Sequence, residues 1–281
     1  MSKKTLVCML VVGNAEPLSS IAFQSIRNKY FGPILIGYVD KSDILFAEHD
    51  LLVERYDLSS SLKISNSAYV GIQDPDFFQV VLLKWELLLQ ALSLGYENVI
   101  YTDLDVLWLQ DVVATVEKTF QIFSSIEILI QSFTRGTELP CLCMGFLCLR
   151  TNLKTQEFIK LCQNTHIALA KSNPMLGDDE VVSQVFQDMN YPGWIRELPQ
   201  STFPTGNLYP LYLRHLRFRK MARVYPFIIH LNFVVGLDNK LLLLKYLKLA
   251  SYLELGFTKP PHLFEIGKRK IKKKLFRKLH S

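Results

Sequence analysis

The sequence predicts an α/β protein built on a largely parallel sheet. Short apolar segments rich in β-branched residues alternate with segments of helical periodicity from residue 5 onward. The segments at 5–12 and 34–39 are almost continuously apolar, as strands buried on both faces are. A helical pattern at 18–30 lies between them. Strand, helix and strand in alternation are typical of βαβ units, whose strands run parallel.

Turn-forming and charged residues divide the rest of the chain into further elements. Gly95 ends a strong helical pattern at 77–94, and a β-branched and aromatic run at 99–101 follows as a buried strand. Because acids favour a helix N-terminus, the acidic stretch at 178–180 predicts a helix that runs to about residue 189. The same patterns predict strands at 51–56, 126–131, 144–149 and 227–232 and helices at 112–123, 155–170 and 241–255.

The composition is that of a folded protein with reduced cysteines. Of its 281 residues, 49% are hydrophobic and 12% aromatic, which excludes a disordered chain and provides a substantial core. The five cysteines include no Cys-x-x-Cys pair, so buried free thiols in a reducing compartment are favoured over a zinc site. The short apolar run at 5–12 has no evident cleavage site after it, and we expect it to be the first strand of a cytoplasmic protein.

Positive charge is concentrated at the C-terminal end of the chain. The net charge is +6, and from Gly267 onward there are eight Lys and Arg residues and no acid. Ile271, Leu275 and Leu279 recur among them at helical spacing, which predicts a basic amphipathic helix that binds an anionic membrane surface. A solvated tail is the alternative. A nucleic-acid partner is not expected, because the rest of the chain is close to neutral and predicts no basic groove.

Two carboxylates follow the predicted strand at 99–101. Asp103 and Asp105 are surrounded in sequence by the apolar residues of 104–109. Aspartates in such a setting are costly to bury unless a positive charge neutralises them. A divalent cation is a simple candidate, because magnesium is often shared between carboxylates and the phosphates of a substrate. The carboxyl ends of strands are also where α/β folds bind their ligands. A turn capped by the two aspartates is the alternative.

Four further motifs follow in chain order. They are Gly145-Phe146, Asp179-Glu180, the turn Phe203-Pro204-Thr205-Gly206, and His230-Leu231-Asn232 with Gly236 and Lys240 after it. Two aspartates and a histidine suit a hard or borderline cation. A glycine lets the backbone approach a phosphate, and a lysine neutralises its charge. The ordered set therefore indicates a site for a metal and a diphosphate.

In this order the motifs resemble those of the nucleotide-diphospho-sugar transferase family, close to family 77 of the glycosyltransferases. The resemblance covers about residues 5–245 and includes Lys84, Gly95 and Trp108. It implies the Rossmann-like GT-A fold with a central mixed, mostly parallel sheet, in a domain at 1–262 followed by the basic tail at 263–281. It also implies a metal-dependent glycosyltransferase that moves a sugar from a nucleotide-diphosphate donor. We expect the donor to be a UDP-sugar and the sugar to keep its anomeric configuration. The implied acceptor is a glycan, a lipid-linked molecule or a protein.

The resemblance implies a role for each motif on the metal side. Asp105 would be the principal ligand of Mn²⁺ or Mg²⁺, Asp103 would bridge the metal and the ribose, and His230 would be the third protein ligand. Lys240 and the backbone at Gly236 would hold the diphosphate.

It implies further contacts to the nucleobase and the sugar. The loop formed by Val11, Gly13 and Asn14 would receive the base, and Lys84 would belong to the donor-binding set. Asp179, or its neighbour Asp178, would lie near the anomeric carbon.

The sequence departs from the family pattern at two places. Glu180 replaces the usual glutamine, and Cys143-Met144 replaces the usual Asn-Ser before Gly145. Two other functions are considered. Asp103-Leu104-Asp105-Val106 after a strand also fits the nucleophile motif of a haloacid-dehalogenase-like phosphatase, and a non-catalytic protein of the same fold would bind nucleotide-sugars without turnover.

Overall fold

The computed structural model describes residues 4–61, 70, 76–133, 141–173, 175–206 and 226–246. The strands in these residues are β1 (Thr5–Val11), β2 (Ile34–Tyr38), β3 (Val53–Asp57), β4 (Asn98–Thr102), β5 (Val106–Trp108), β6 (Ile128–Phe133), β7 (Cys141–Arg150), β8 (Ile195–Glu197) and β9 (Ile228–His230). The helices are α1 (Leu18–Arg27), α2 (Phe77–Ser93), α3 (Val112–Ile122), α4 (Leu153–Ala170), α5 (Asp178–Asp188) and α6 (Leu237–Tyr246), with a 3₁₀ segment at Lys41–Ala47.

Most of the described strands form one mixed sheet in the order β3-β2-β1-β4-β7-β6-β8. The four strands from β3 to β4 in this order run parallel, β7 lies antiparallel to both β4 and β6, and β8 is parallel to β6. Strands β5 and β9 pair with each other in a separate antiparallel ribbon. The predicted α/β class and the mixed, mostly parallel sheet are thus confirmed.

Alternating side chains of the strands supply two separate cores. In β1, Leu6 and Cys8 pack in the cluster that includes residues of α2, α4 and α5. Val7 and Met9 pack in the cluster on the other face, with residues of α1 and α3. Because helices cover both faces of the sheet, both sets of side chains must be apolar, and the strand is continuously hydrophobic in sequence.

The pairing of β6 with β7 is interrupted beside the central strand β4. Ile130 pairs with Leu147, but the next residue, Gln131, pairs with Cys143, so residues 144–146 fall outside the register between the two strands. Irregularities of this kind bend a strand and redirect its side chains, and they are common next to active sites. Gly145 lies within this interruption.

The predicted helices and strands are all present among the described residues, with shifted ends. The 3₁₀ segment, β5 and β8 were not predicted, because each is too short for a periodic pattern. The last helix begins at Leu237 and not at 241, so Lys240 lies inside it. The predicted end of that helix at 255 and the basic tail at 263–281 lie outside the described residues.

The cysteines agree with the sequence-based expectation of buried free thiols. All five cysteines are free, and four of them are buried. Trp85 and Trp108 are core residues. In the described part of the chain, no helix combines the length and the apolarity that crossing a membrane requires.

A buried hydrogen bond joins the helices on one face of the sheet. The indole Nε1 of Trp85, on α2, donates to Nδ1 of His166, on α4, at 3.2 Å. Nε2 of His166 lies 3.1 Å from the carbonyl oxygen of Leu176, just before α5. Burial lowers the pKa of His166, which favours a neutral ring that accepts from Trp85 and donates to Leu176. The start of α5, where Asp178 lies, is thereby tied to α2.

We expect Trp85→Phe to lower the free energy of unfolding by about 2–3 kcal/mol, because it leaves a buried ring nitrogen without its donor and a small cavity. Urea denaturation measures this change. Trp194→Phe is the matched control, since Trp194 is only partly buried and packs edge-on against Phe158. The control substitution should lower the free energy of unfolding by less than about 1 kcal/mol. Equal losses in the two variants would contradict the importance of the bond to His166.

Candidate active site

Strand β4 carries Asp103 and Asp105 to the carboxyl end of the parallel strands. The strand is buried along its length and ends at Thr102. The backbone N–H of Asp103 donates to the carbonyl oxygen of Gly145 at 2.8 Å, and the N–H of Leu231 donates to the carbonyl oxygen of Asp105 at 2.9 Å. The two aspartates are therefore held between β7 on one side and the residue after β9 on the other.

The ribbon of β5 and β9 brings a histidine to these aspartates. Val106 pairs with His230 in the ribbon, so the histidine lies beside Asp105 although it is distant in sequence. The ring is 1% exposed, and its Nε2 lies 3.2 Å from Oδ1 of Asp105. One ligand atom from each of Asp103, Asp105 and His230 lies within 4.8 Å of the others. The three predicted metal ligands thus lie together.

Gly145 makes the close approach of these side chains possible. A Cβ atom at this position would lie 2.1 Å from Cε1 of His230 and 2.9 Å from Oδ2 of Asp103. Separations this short cannot be accommodated without moving a buried imidazole ring. The glycine of the Gly-Phe motif is therefore required by the histidine and the aspartate that pack against β7.

The residues present fit a divalent cation. Mn²⁺ and Mg²⁺ prefer carboxylate oxygens, and Mn²⁺ also accepts imidazole nitrogen. Two carboxylates and one imidazole converge here, and Oδ2 of Asp103 and Nε2 of His230 both face the cleared space at Gly145. The chemistry of this donor set is that expected from the sequence motif.

Two buried lysines neutralise the aspartates. Nζ of Lys84 lies 3.0 Å from Oδ1 of Asp103 and 2.5 Å from Oδ2 of Asp178. Nζ of Lys240 lies 2.5 Å from Oδ2 of Asp105. Both lysines are less than a tenth exposed, so neither is a solvated surface residue. Burial alone would lower the pKa of Lys84, but the charges of Asp103 and Asp178 raise it well above its usual value.

The charge of Asp105 is strongly stabilised in this setting. Burial by itself would raise the pKa of the carboxyl group. The charge and hydrogen bond of the neighbouring Lys240 oppose that effect most strongly, and the pKa is held well below its ordinary value. Asp105 is therefore ionised at any pH at which the protein would work, as a metal ligand must be.

The two acids at the start of α5 have different environments. Asp178 is buried and paired with Lys84. Oδ1 of Asp179 accepts a hydrogen bond from the backbone N–H of Met144 at 2.7 Å. Desolvation and the charge of Asp178 raise the pKa of Asp179 well above its usual value, against the opposing effect of the Met144 N–H. Asp179 is thus the acid attached to the interrupted part of β7, while Asp178 anchors a lysine.

Glu180, the departure from the family glutamine, is exposed and caps its own helix. Its Oε2 accepts from the backbone N–H of Gly177 at 3.1 Å, which is the half of a capping box that a glycine N-cap permits. In this structure the extra carboxylate therefore satisfies the helix N-terminus.

The predicted nucleobase loop lies at the same edge of the sheet as the aspartates. Cys8 of β1 is in register with Tyr101 of β4, so both strands end side by side. The side chain of Val11 is buried in the core, which leaves only its backbone for a ligand, whereas Asn14 is exposed. Gly13 between them adopts a positive φ of 70°.

Gly236, the predicted diphosphate contact, directly precedes α6. Its φ of 87° is a left-handed conformation that favours glycine. Its carbonyl oxygen accepts from the backbone N–H of Lys240, which places the glycine one helical turn before that lysine.

Sequence analysis missed two polar groups that support the ligands. The hydroxyl of Tyr101 donates to Oδ1 of Asp103 at 2.7 Å, and Oε1 of Gln131 lies 2.7 Å from Nδ1 of His230. The available signal for Gln131 was a glutamine in an otherwise apolar strand pattern. Its partner could not be identified, because the pairing depends on the register of β6 and β9.

Comparison with known proteins places these features in a family. A family model described as nucleotide-diphospho-sugar transferase matches residues 34–244. The chain is 27% identical over 183 residues to UDP-D-xylose:L-fucose alpha-1,3-D-xylosyltransferase 3 of Arabidopsis thaliana, over 59% of this chain and 45% of that protein. It is 28% identical over 179 residues to the xylosyltransferase MGP4 of the same plant, over 59% of this chain and 48% of that protein. The chain thus spans about half the length of these curated relatives.

Solved structures confirm the predicted GT-A fold. Mouse xyloside xylosyltransferase 1 matches with a TM-score of 0.53 at 13% identity, over 81% of this chain and 97% of the other. Galactosyltransferase LgtC, crystallised with donor and acceptor sugar analogues, matches with a TM-score of 0.53 at 11% identity. The match covers 93% of this chain and 99% of the LgtC chain. With the family match covering most of the chain, these findings do not favour the phosphatase alternative. The chain belongs to the nucleotide-diphospho-sugar transferase family.

Proposed function

We propose that the protein is a metal-dependent glycosyltransferase that moves xylose from UDP-xylose to a glycan, lipid-linked or protein acceptor. The observation that supports it best is the convergence of Asp103, Asp105 and His230 between two buried lysines at the carboxyl end of the sheet. Both curated relatives are named as UDP-xylose-dependent xylosyltransferases, which supports the choice of sugar and nucleotide.

On the diphosphate side, Asp103, Asp105 and His230 would hold Mn²⁺ or Mg²⁺. When bound, the cation supplies Lewis-acid stabilisation of the charge that develops on the leaving diphosphate. Lys240 contributes a fixed positive charge next to Asp105. The backbone at Gly236, at the N-terminal end of α6, binds phosphate oxygens in the manner of other helix N-termini. The loop at Val11, Gly13 and Asn14 receives the base.

On the sugar side, the ionised form of Asp179, which the charge of Lys84 favours, would stabilise the positive charge that develops at the anomeric carbon as the nucleotide leaves. We favour Asp179 over Asp178, because Asp178 is already paired with Lys84. Lys84 contacts both Asp103, a proposed metal ligand, and Asp178, at the start of α5. It therefore helps to set the distance between the metal ligands and the neighbouring Asp179. The reaction proceeds with retention of anomeric configuration. The membrane-binding role of the tail at 263–281 and the domain boundary at 262 remain predictions from sequence.

We expect UDP to bind the wild-type protein in the presence of Mn²⁺ and not in its absence, as measured by isothermal titration calorimetry. Asp105→Asn should weaken both Mn²⁺ and UDP at least about tenfold, because it removes a charged ligand while keeping its shape. Asp188→Asn is the matched control, since Asp188 is exposed at the far end of α5 and should bind both normally.

The same preparation tests the donor and the reaction class. UDP-xylose should be hydrolysed in the absence of acceptor faster than UDP-glucose or UDP-galactose. Turnover of another UDP-sugar would replace the donor and keep the transferase. Binding with no turnover in the presence of sugar acceptors would indicate the non-catalytic alternative. Failure of every nucleotide to bind, with hydrolysis of a phosphate monoester, would reject the proposal in favour of a phosphatase.

Gly145→Ala should weaken Mn²⁺ binding by an order of magnitude or more, because the new methyl group displaces the ring of His230. Manganese titration followed by electron paramagnetic resonance measures the affinity, and circular dichroism establishes that the variant is folded. Gly193→Ala is the control, since its Cβ would meet no atom within 4 Å. Unchanged Mn²⁺ affinity in Gly145→Ala would show that the histidine is not a ligand.

Asp179→Asn should stabilise the protein at neutral pH while abolishing transfer. The raised pKa means that ionised Asp179 destabilises the folded state at pH values above its unfolded pKa. The amide removes that cost and keeps an oxygen for the N–H of Met144. We expect a gain of about 1 kcal/mol at pH 7 that disappears as the pH falls toward about 4.

Urea unfolding at several pH values measures this gain. Asp178→Asn provides the opposite control, because it breaks a buried ion pair with Lys84 and should destabilise by about 3 kcal/mol. Loss of stability in Asp179→Asn at pH 7 would refute the electrostatic account.

A further inference from the structure

Gln131 is a fully buried amide at the interruption between β6 and β7. Its side chain is 0% exposed, and each end of its amide has a partner. Nε2 donates to the carbonyl oxygens of Phe203 and Pro204 at 3.1 and 2.7 Å. Oε1 lies 2.7 Å from Nδ1 of His230.

The two carbonyl partners determine which way the amide points. Only the NH₂ group can donate to Phe203 and Pro204, so the oxygen must face the histidine. An amide oxygen is only an acceptor, and Nδ1 of His230 must therefore carry the hydrogen. The Sγ of Cys143 is a more distant neighbour of the same nitrogen, at 3.8 Å.

We propose that Gln131 is a positioning residue for the metal, which orients His230 and assigns its proton to Nδ1 so that Nε2 presents a lone pair to the cation. In a neutral imidazole one nitrogen is a donor and the other an acceptor, and ligating histidines usually donate through the nitrogen that does not bind the metal. Nε2 is the nitrogen that faces Asp105, at 3.2 Å from Oδ1. This inference rests on the proposed metal-dependent function and deepens it.

The same amide connects the metal ligand to the aromatic turn. The turn at 203–206 is bound by Gln131 through two carbonyl groups, and Oδ1 of Asn232 accepts from the N–H of Gly206 at 2.8 Å. Asn232 is two residues after His230, so the turn is attached twice to the segment that carries the ligand. The Phe-Pro-x-Gly motif therefore supports the position of His230 through its hydrogen bonds to Gln131.

The test is the Mn²⁺ affinity of Gln131→Met, measured alone and in a His230→Ala background. Methionine preserves length and burial, but its thioether sulfur is only a weak acceptor for Nδ1. We expect Mn²⁺ to bind about 10–100-fold more weakly to Gln131→Met than to wild type. In the His230→Ala background the same substitution should change the affinity less than about twofold, because its partner is already absent. Equal losses in both backgrounds would show a general structural role and overturn the proposal.

Gln131→Glu separates the two halves of the interaction. It keeps an acceptor for Nδ1 and loses both donors to the turn, so we expect Mn²⁺ affinity within about threefold of wild type, together with a lower melting temperature. A loss as large as that of Gln131→Met would assign the effect to the turn and reject the proposal. Ser132→Ala is the control for disturbing β6, because Ser132 pairs with Leu142, which packs on the opposite face of the sheet.

The outcomes also distinguish this inference from the function on which it rests. If wild type binds Mn²⁺ and UDP and Gln131→Met binds both equally well, only the role of Gln131 is rejected. If wild type itself binds no Mn²⁺, the metal-dependent function is rejected and the role of Gln131 falls with it.

Discussion

The neutralisation of two aspartates at the end of a buried strand is the interaction on which the site depends. Asp105 is buried and Asp103 is partly buried, so each carboxylate has lost hydration that a positive charge must replace. Lys84 from α2 and Lys240 from α6 supply the compensating charge, and Asp178 from α5 shares Lys84. Ion pairs of this kind contribute little net stability after desolvation. Their consequence is geometric, because they draw three helices toward one edge of the sheet.

The site also depends on the interrupted pairing of β6 and β7. Residues 144–146 leave the β6 register, and each polar contact made there serves the site. The N–H of Met144 binds Asp179, the carbonyl oxygen of Gly145 binds the N–H of Asp103, and the missing side chain of Gly145 admits His230. The bond from Asp103 to Gly145 continues the pairing of β4 with β7 beyond Thr102 and Phe146, so only the pairing with β6 is interrupted here. Burial and the charge of Asp178 raise the pKa of Asp179 in the same place, so its ionised form is disfavoured there.

The fold could be predicted from the sequence because its signals are local. The continuous apolarity of β1 follows from burial on both faces, and Gly95 ends α2 before the central strand. The metal ligands were predictable as a set only through the order of the motifs, since nothing local connects His230 to Asp105. Short elements such as β5 and β8 were missed, because three residues carry no periodicity. Gln131 was missed for a different reason, as its function lies in a partner 99 residues away.

The sequence by itself determined the α/β class, the family motifs and the identity of the charged residues, since these depend on local pattern and order along the chain. The tertiary structure alone decided how they are paired. Lys240 is a buried partner of Asp105 and not a solvated residue before a helix, because α6 begins earlier and packs at the end of the sheet. Asp178 and Asp179 are adjacent and chemically alike, yet one pairs with Lys84 and the other binds β7, because successive residues of a helix point in different directions.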